Sequence, residues 1–155
     1  MTLIKSTKKS AGIILAAIGV LLVMDWAAAH SPGKGMVRHR YFMMNGIPEE
    51  YANALNPIPA TAEVIAEGRT LYDDNCAICH DPKGRGKGEG AEDLDPKPAD
   101  LMMMMSMPMA TDGFFLWSIS DGGEALETDM PAFKEILSAD ERWKIIRALR
   151  AGLPD

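Results

Sequence analysis

The chain has 155 residues, a formal net charge of −6, 25% charged and 6% aromatic residues, two cysteines and three histidines. That length holds one domain and a leader. The acidic balance argues against a nucleic-acid partner, whose phosphates would repel it. Two cysteines, with His30 and His39 far from them, do not make the four-ligand set of a structural zinc site.

Residues 1–29 read as an export signal. Lys5, Lys8 and Lys9 form a basic start, residues 11–24 are apolar, and Asp25 and Trp26 precede Ala27-Ala28-Ala29. This predicts a signal peptide cut after Ala29. The apolar run is shorter than the ~20 residues of a membrane span. The alternative is an uncleaved anchor reaching through Ala29, which would be the chain's one membrane contact. Either way the remainder is expected in a periplasmic compartment. Removing Lys5, Lys8, Lys9 and Asp25 leaves 13 basic and 21 acidic residues, a net charge of −8.

Residues 30–60 carry Pro32, Pro48, Pro57 and Pro59 with Gly33, Gly35 and Gly46. Such residues break long elements. The expectation is an irregular extension with one short helix between Glu49 and Leu55, begun by Pro48 and stopped before Pro57. Tyr41, Phe42 and the neighbouring methionines would pack as a strap on the next domain. Alternatively, the amine of His30 with Met36, His39, Met43 and Met44 would bind copper.

The next segment predicts an amphipathic helix. Thr61 is a good N-cap and Glu63 suits the first turn. Val64, Ile65, Gly68, Leu71, Tyr72 and Asn75 follow at helical spacing. Gly68 costs about 1 kcal/mol relative to Ala in a helix interior, so a close helix crossing is expected there. Tyr72 would pack at that crossing or at a cofactor edge. The helix leads into Cys76-Ala77-Ile78-Cys79-His80, the C-x-x-C-H pattern of covalent c-type haem attachment. Positions i, i+3 and i+4 share a helix face. Two sulfurs can therefore meet two vinyl groups on one porphyrin edge while the imidazole faces the iron. A thioredoxin-like pair would need a βαβ setting, and none is legible. A disulfide would close a very short loop and leave His80 unexplained. Haem would also add apolar surface to an aromatic-poor core, at roughly 25 cal/mol per Å² buried.

Gly84, Gly86, Gly88 and Gly90 alternate with Arg85, Lys87 and Glu89. Gly86-x-Gly88-x-x-Ala91 imitates a dinucleotide fingerprint, but no strand precedes it and no βαβ unit follows. A flexible surface loop is the expectation. The methionines at 102–105, 107 and 109 suit gap-filling around a large rigid cofactor. Axial ligation and copper(I) binding are the alternatives.

Asp112 is placed to cap a helix containing Phe114, Phe115, Trp117 and Ile119, stopped by Gly122-Gly123. Phe115, Leu116, Trp117 and Ile119 are expected to cover the haem. An acidic loop, residues 124–129, runs into Met130. A thioether opposite His80 would give six-coordinate iron, and His/Met ligation raises the reduction potential. Ser138-Ala139-Asp140-Glu141 is a capping box. Trp143, Ile146 and Leu149 mark the buried face of a last helix ended by Gly152 and Pro154. That helix should cross the first near Gly68.

Gly68-Arg69-Thr70-Leu71-Tyr72, the run from Asn75 to His80, Met130-Pro131-Ala132-Phe133 and the last helix together resemble the class I c-type cytochromes of bacterial periplasms. The resemblance covers residues 61–153. It implies an all-α cytochrome c fold, three to five helices around one haem c held by Cys76 and Cys79. It implies His80 and Met130 as iron ligands, and single-electron transfer as the task. It favours Met130 over Met107, since both precede proline but only Met130 stands in M-P-x-F. It also implies that Pro96 or Pro98 offers its carbonyl to Nδ1 of His80, which would fix the ring and strengthen its donor atom. The expected organisation is a leader at 1–29, an extension at 30–60 and a cytochrome c domain at 61–155. No nucleophile–base pair or carboxylate dyad is legible, so a carrier is expected rather than an enzyme. Its acidic surface suits redox protein partners with a basic docking patch. The rival readings are a fixed electron-relay subunit of a dehydrogenase or terminal oxidase, and an open-site haem protein.

Overall fold

The structure is a computed structural model that describes residues 36–154. The expected leader, its cleavage site and His30 lie outside the described residues. Those described adopt the all-α class expected, with seven helices and no strand. They are α1 (Val37–Asn45), α2 (Glu49–Ala52), α3 (Ala62–Asn75), α4 (Ala77–His80), α5 (Leu101–Met105), α6 (Asp112–Asp121) and α7 (Ala139–Ala151). Single 3-10 turns occur at Glu89–Ala91 and Glu124–Leu126. No helix among the described residues is long and apolar enough to cross a membrane.

α3 and α7 form the most extensive helix pair. The reason is Gly68: a Cβ built there would lie 2.1 Å from the Lys144 carbonyl oxygen. The two backbones touch where any side chain would hold them apart. Thr61 caps α3 by accepting from the Val64 amide, and Ser138 and Glu141 form the expected capping box on α7. Trp143, Ile145, Ile146, Ala148 and Leu149 make the buried face of α7, each large member contributing roughly 1.5–3 kcal/mol. Tyr72 is fully buried, and its hydroxyl donates to the Asp81 carbonyl at 2.7 Å.

α6 begins one residue earlier than expected. Thr111, with an extended backbone, is the cap and accepts from the Phe114 amide at 3.1 Å. Asp112 is instead the first residue of the helix, its largely covered carboxylate accepting from the Asn56 amide at 3.1 Å and pairing with Arg150 at 3.0 Å. Gly122, at φ 64°, stops the helix as expected.

Residues 37–45 form a helix where an irregular strap was expected. Proline and glycine flank this stretch but do not enter it, so nothing interrupts the 3.6-residue repeat. Gly46, at φ 78°, ends it, its amide donating to the Phe42 carbonyl at 2.8 Å. No residue of α1 is buried. The helix is held by side chains: Phe42 meets Phe114 edge-on at 6.0 Å, and Tyr41 tilts against Trp117 at 5.7 Å. Met43 and Met44 are exposed and do not join this packing. α2 is shorter than expected, stopping at Ala52, and its Tyr51 hydroxyl donates to Asp121 at 2.8 Å. Beyond it, the Arg147 guanidinium clasps the carbonyls of Ile58 and Asn56 at 2.6 and 3.0 Å.

Candidate haem site

α3 ends at Asn75, and Cys76 serves as its C-cap and as the N-cap of α4. α4 is one turn, closed by the His80 amide on the Cys76 carbonyl at 2.8 Å. Cys76, Cys79 and His80 thereby share a face, as the spacing predicts. All three line one cavity, and Met130 lines it too. Its other walls include Tyr72, Leu101, Met104, Phe114, Phe115, Ile119, Phe133, Ile145 and Leu149. The cavity measures about 210 Å³, whereas one water needs only about 10–15 Å³. It has room for a multi-ring group and is far too large for a bare metal ion.

The chemistry of the donors suits a haem. Neither cysteine is in a disulfide, so both sulfurs are free to form thioethers. Burial pushes the Cys76 thiol up to about 12, with Cys79 and Asp73 adding to the rise. It is therefore neutral near pH 7, not a reactive thiolate. His80 donates from Nδ1 to the Ala99 carbonyl at 3.1 Å. Burial lowers its pKa, opposed in part by that carbonyl and by Asp81. The imidazole is neutral, and the bond at Nδ1 leaves Nε2 with its lone pair for a metal.

The carbonyl on His80 thus belongs to Ala99, not to Pro96 or Pro98. Both prolines line the cavity, but the Pro98 carbonyl lies against Gly86, 2.3 Å from where a Cβ would stand.

The glycine-rich segment is also different from the flexible loop expected. It is folded back onto the haem motif. The Gly86 amide donates to the His80 carbonyl at 2.9 Å and the Gly88 amide to the Cys79 carbonyl at 3.1 Å. A Cβ at Gly88 would sit 2.2 Å from the Ile78 carbonyl oxygen. The carboxylate of Asp81 accepts from the amides of Lys83, Arg85 and Lys87 at 2.7, 3.1 and 3.0 Å. Burial alone would raise the Asp81 pKa, but these donors outweigh it and the net shift is downward.

Of the methionine cluster, Met104 and Met109 are buried, Met104 lines the cavity, and Met102, Met105 and Met107 pack against the core. Met103 is exposed. Packing in or against the core, the expectation for this cluster, holds for all of them but Met103. The covering residues differ in part: Phe114, Phe115, Ser118 and Ile119 line the cavity, while Leu116 and Trp117 do not. Trp117 turns instead to α1.

That helix is the part of the site the sequence analysis missed. Met36, Val37, Arg38 and His39 all line the cavity. The uninterrupted run from 36 to 45 was the available signal. His39 Nδ1 meets the Met109 sulfur. Met43 and Met44 are not on the cavity wall, so the methionines and histidine proposed for copper do not all converge.

Residues 63–147 match the family model described as cytochrome c oxidase, cbb3-type, subunit III. The chain belongs to this family. It is therefore a c-type cytochrome, and the family implies covalently bound haem c and electron transfer. No curated protein sequence matches the chain. Among solved structures, the cytochrome is similar to a chain of the reducing HAO-like protein complex of Kuenenia stuttgartiensis, with a TM-score of 0.53 and 24% identity. The match covers 74% of this chain and 55% of that one. At this identity it supports the fold alone, and this cytochrome spans about half of its neighbour's length.

Proposed function

We propose that Cys76 and Cys79 carry a single haem c, that His80 and Met130 are its axial ligands, and that the protein is an exported one-electron carrier between larger redox proteins. The observation that carries this reading is the arrival of all four side chains in one apolar cavity. The bound group would supply an iron that gains or loses one electron without a change of ligands.

The chain's own residues do the rest. Ala99 holds the His80 ring in orientation through Nδ1. Gly123 donates to the Met130 carbonyl at 2.8 Å and positions that loop. Phe114, Phe115, Ile119 and Phe133 make the wall apolar, which favours the less charged, reduced state. With both axial positions filled, oxygen and peroxide would find no open site, so a carrier is favoured over an enzyme. The acidic surface would draw in partners with a basic patch, raising the on-rate more than the affinity. In this reading residues 1–29 are the export leader, 30–60 the extension and 61–155 the cytochrome c domain.

The test is the optical spectrum of the oxidised, exported protein. A sulfur-to-iron charge-transfer band is expected, and Met130→Ala should abolish it. Pigment that acid–acetone extracts, or a band that survives in Met130→Ala, would overturn the assignment. Mass spectrometry should find a mature chain beginning at His30; one beginning at Met1 would mean a retained anchor.

The family description names an oxidase subunit, and the similar structure comes from a protein complex. The family description favours a second reading, with which the neighbour is compatible, in which the cytochrome is a fixed relay. Co-purification as a stable stoichiometric complex would select it over the free carrier.

A further inference from the structure

Asp81, the residue after His80, holds an uncommon backbone for its type. Its φ is 58° and its ψ 163°, a region that glycine enters freely and other residues enter under strain. Backbone geometry alone would call for glycine; the carboxylate is what glycine lacks. That carboxylate gathers the amides of Lys83, Arg85 and Lys87. The residues between them, Gly84 and Gly86, are buried. The Gly84 carbonyl accepts from the Leu101 amide at 2.7 Å, and Gly86 packs against the carbonyls of Pro98 and Ala99. Arg85 reaches the Asp100 carboxylate at 3.7 Å. On its other side, the Asp81 carbonyl accepts from the enclosed Tyr72 hydroxyl. Residues 98–101 are thus tied to the loop at consecutive positions, and Ala99 in their midst is the acceptor for the His80 ring.

We propose that Asp81 is a positioning residue for His80: its carboxylate holds the loop that keeps the Ala99 carbonyl on Nδ1, and so sustains the donor strength of the axial nitrogen. This rests on the haem reading above. Glycines at 84, 86, 88 and 90 make the loop costly to order. One charged acceptor serving three amides offsets that cost, because charge-assisted hydrogen bonds are the stronger kind. The action is indirect, from carboxylate to loop, from loop to carbonyl, and from carbonyl to ring. An acceptor on Nδ1 makes Nε2 a better donor, which favours the oxidised iron. Loss of the tether should therefore raise the reduction potential.

The experiment compares the matured holoprotein with Asp81→Asn and Asp81→Gly at one pH. Both substitutions remove the charge. Asparagine keeps one acceptor oxygen in place of two, whereas glycine keeps none and relieves the backbone strain. Proton NMR of the reduced, diamagnetic protein follows solvent exchange of the His80 Nδ1 proton, with the amide of Ile146, buried in α7, as internal reference. Relative to that reference, exchange should speed up about tenfold in Asp81→Gly and less in Asp81→Asn. Redox titration should place Asp81→Gly above Asp81→Asn by about threefold in the equilibrium constant for reduction, or ~28 mV for one electron. The difference between the two variants is free of the charge effect they share. Equal exchange or equal potentials in the two variants, or an Nδ1 proton that speeds up only as much as the Ile146 amide, would overturn the assignment, since a purely structural aspartate is replaced best by glycine. If Asp81→Gly does not mature, Asp81→Asn decides: an Nδ1 proton that exchanges as in wild type refutes the tether. Every sample is first checked for covalent haem and the sulfur-to-iron band, so failure of the ligand assignment would be seen separately.

Discussion

α1 and α3 both border the cofactor cavity, yet they are fastened by opposite means. α3 is fused to α7 through main chain, with Gly68 against the Lys144 carbonyl and Tyr72 wholly enclosed. α1 buries no residue and holds on by side chains: Arg38 on Trp117 and the Gly122 carbonyl, His39 on Met109, Tyr41 on Trp117 and Phe42 on Phe114. Backbone contact leaves no tolerance, because nothing can rotate away. Side-chain contact can be gained or lost without disturbing the helices beneath. The lesson is that the family region builds most of the pocket, while the extension supplies one stretch of its wall.

The contrast can be broken from either side. The largest expected loss is Trp143→Ala on the buried face of α7, about 3–5 kcal/mol by urea denaturation. Next comes Gly68→Ala. Its methyl would press on main chain, which cannot yield cheaply, so a loss of about 1–3 kcal/mol is expected. Gly46→Ala, at the end of α1, is the matched control. A Cβ there meets nothing within 4 Å, and only the φ of 78° is unfavourable. Backbone strain in this region costs of order 1–3 kcal/mol, and the lower part of that range is expected at an exposed helix end, with the haem spectrum unchanged. A spectrum disturbed by Gly46→Ala and untouched by Gly68→Ala would reverse the assignment of rigid and adjustable parts.

The smallest effect concerns the join between α2 and α6. Burial, then the hydrogen bond to Asp121, push the Tyr51 pKa up to about 12, from about 10 in an unfolded chain. Below pH 10 the hydroxyl is protonated in both states and its contribution is intact. Between pH 10 and 12 the unfolded chain ionises first, so stability declines as pH rises through the folded value. Tyr51→Phe should cost about 1 kcal/mol at neutral pH and make the alkaline decline shallower, leaving the part due to Tyr72, whose pKa burial also raises. An unchanged alkaline decline in Tyr51→Phe would mean that this hydrogen bond does not link the extension to α6.

Much was legible locally. Cys76, Cys79 and His80 share a face because one helical turn requires it. Ser138 and Glu141 cap α7 because their spacing suits the first-turn amides. Gly68 in an otherwise good helix announced a crossing. Less visible were the Ala99 carbonyl on His80, the cap at Thr111 in place of Asp112, and the folding of Gly86 and Gly88 onto the haem motif. Each depends on where a distant main-chain atom lies, and no spacing within the segment encodes that.

From residue order alone come the haem motif, the all-α class, the methionine before Pro131 and the pairing of the first and last family helices. The motif and the helix faces follow from short-range spacing, which a chain carries wherever it goes; the all-α class and the choice of Met130 come from the resemblance to class I c-type cytochromes that those motifs carry. Folding in three dimensions decided which carbonyl orients the histidine, that Trp117 serves α1 instead of the cavity, and that Arg38 reaches the cofactor wall. Those are long-range meetings between groups of ordinary local character, selected by the packing around them.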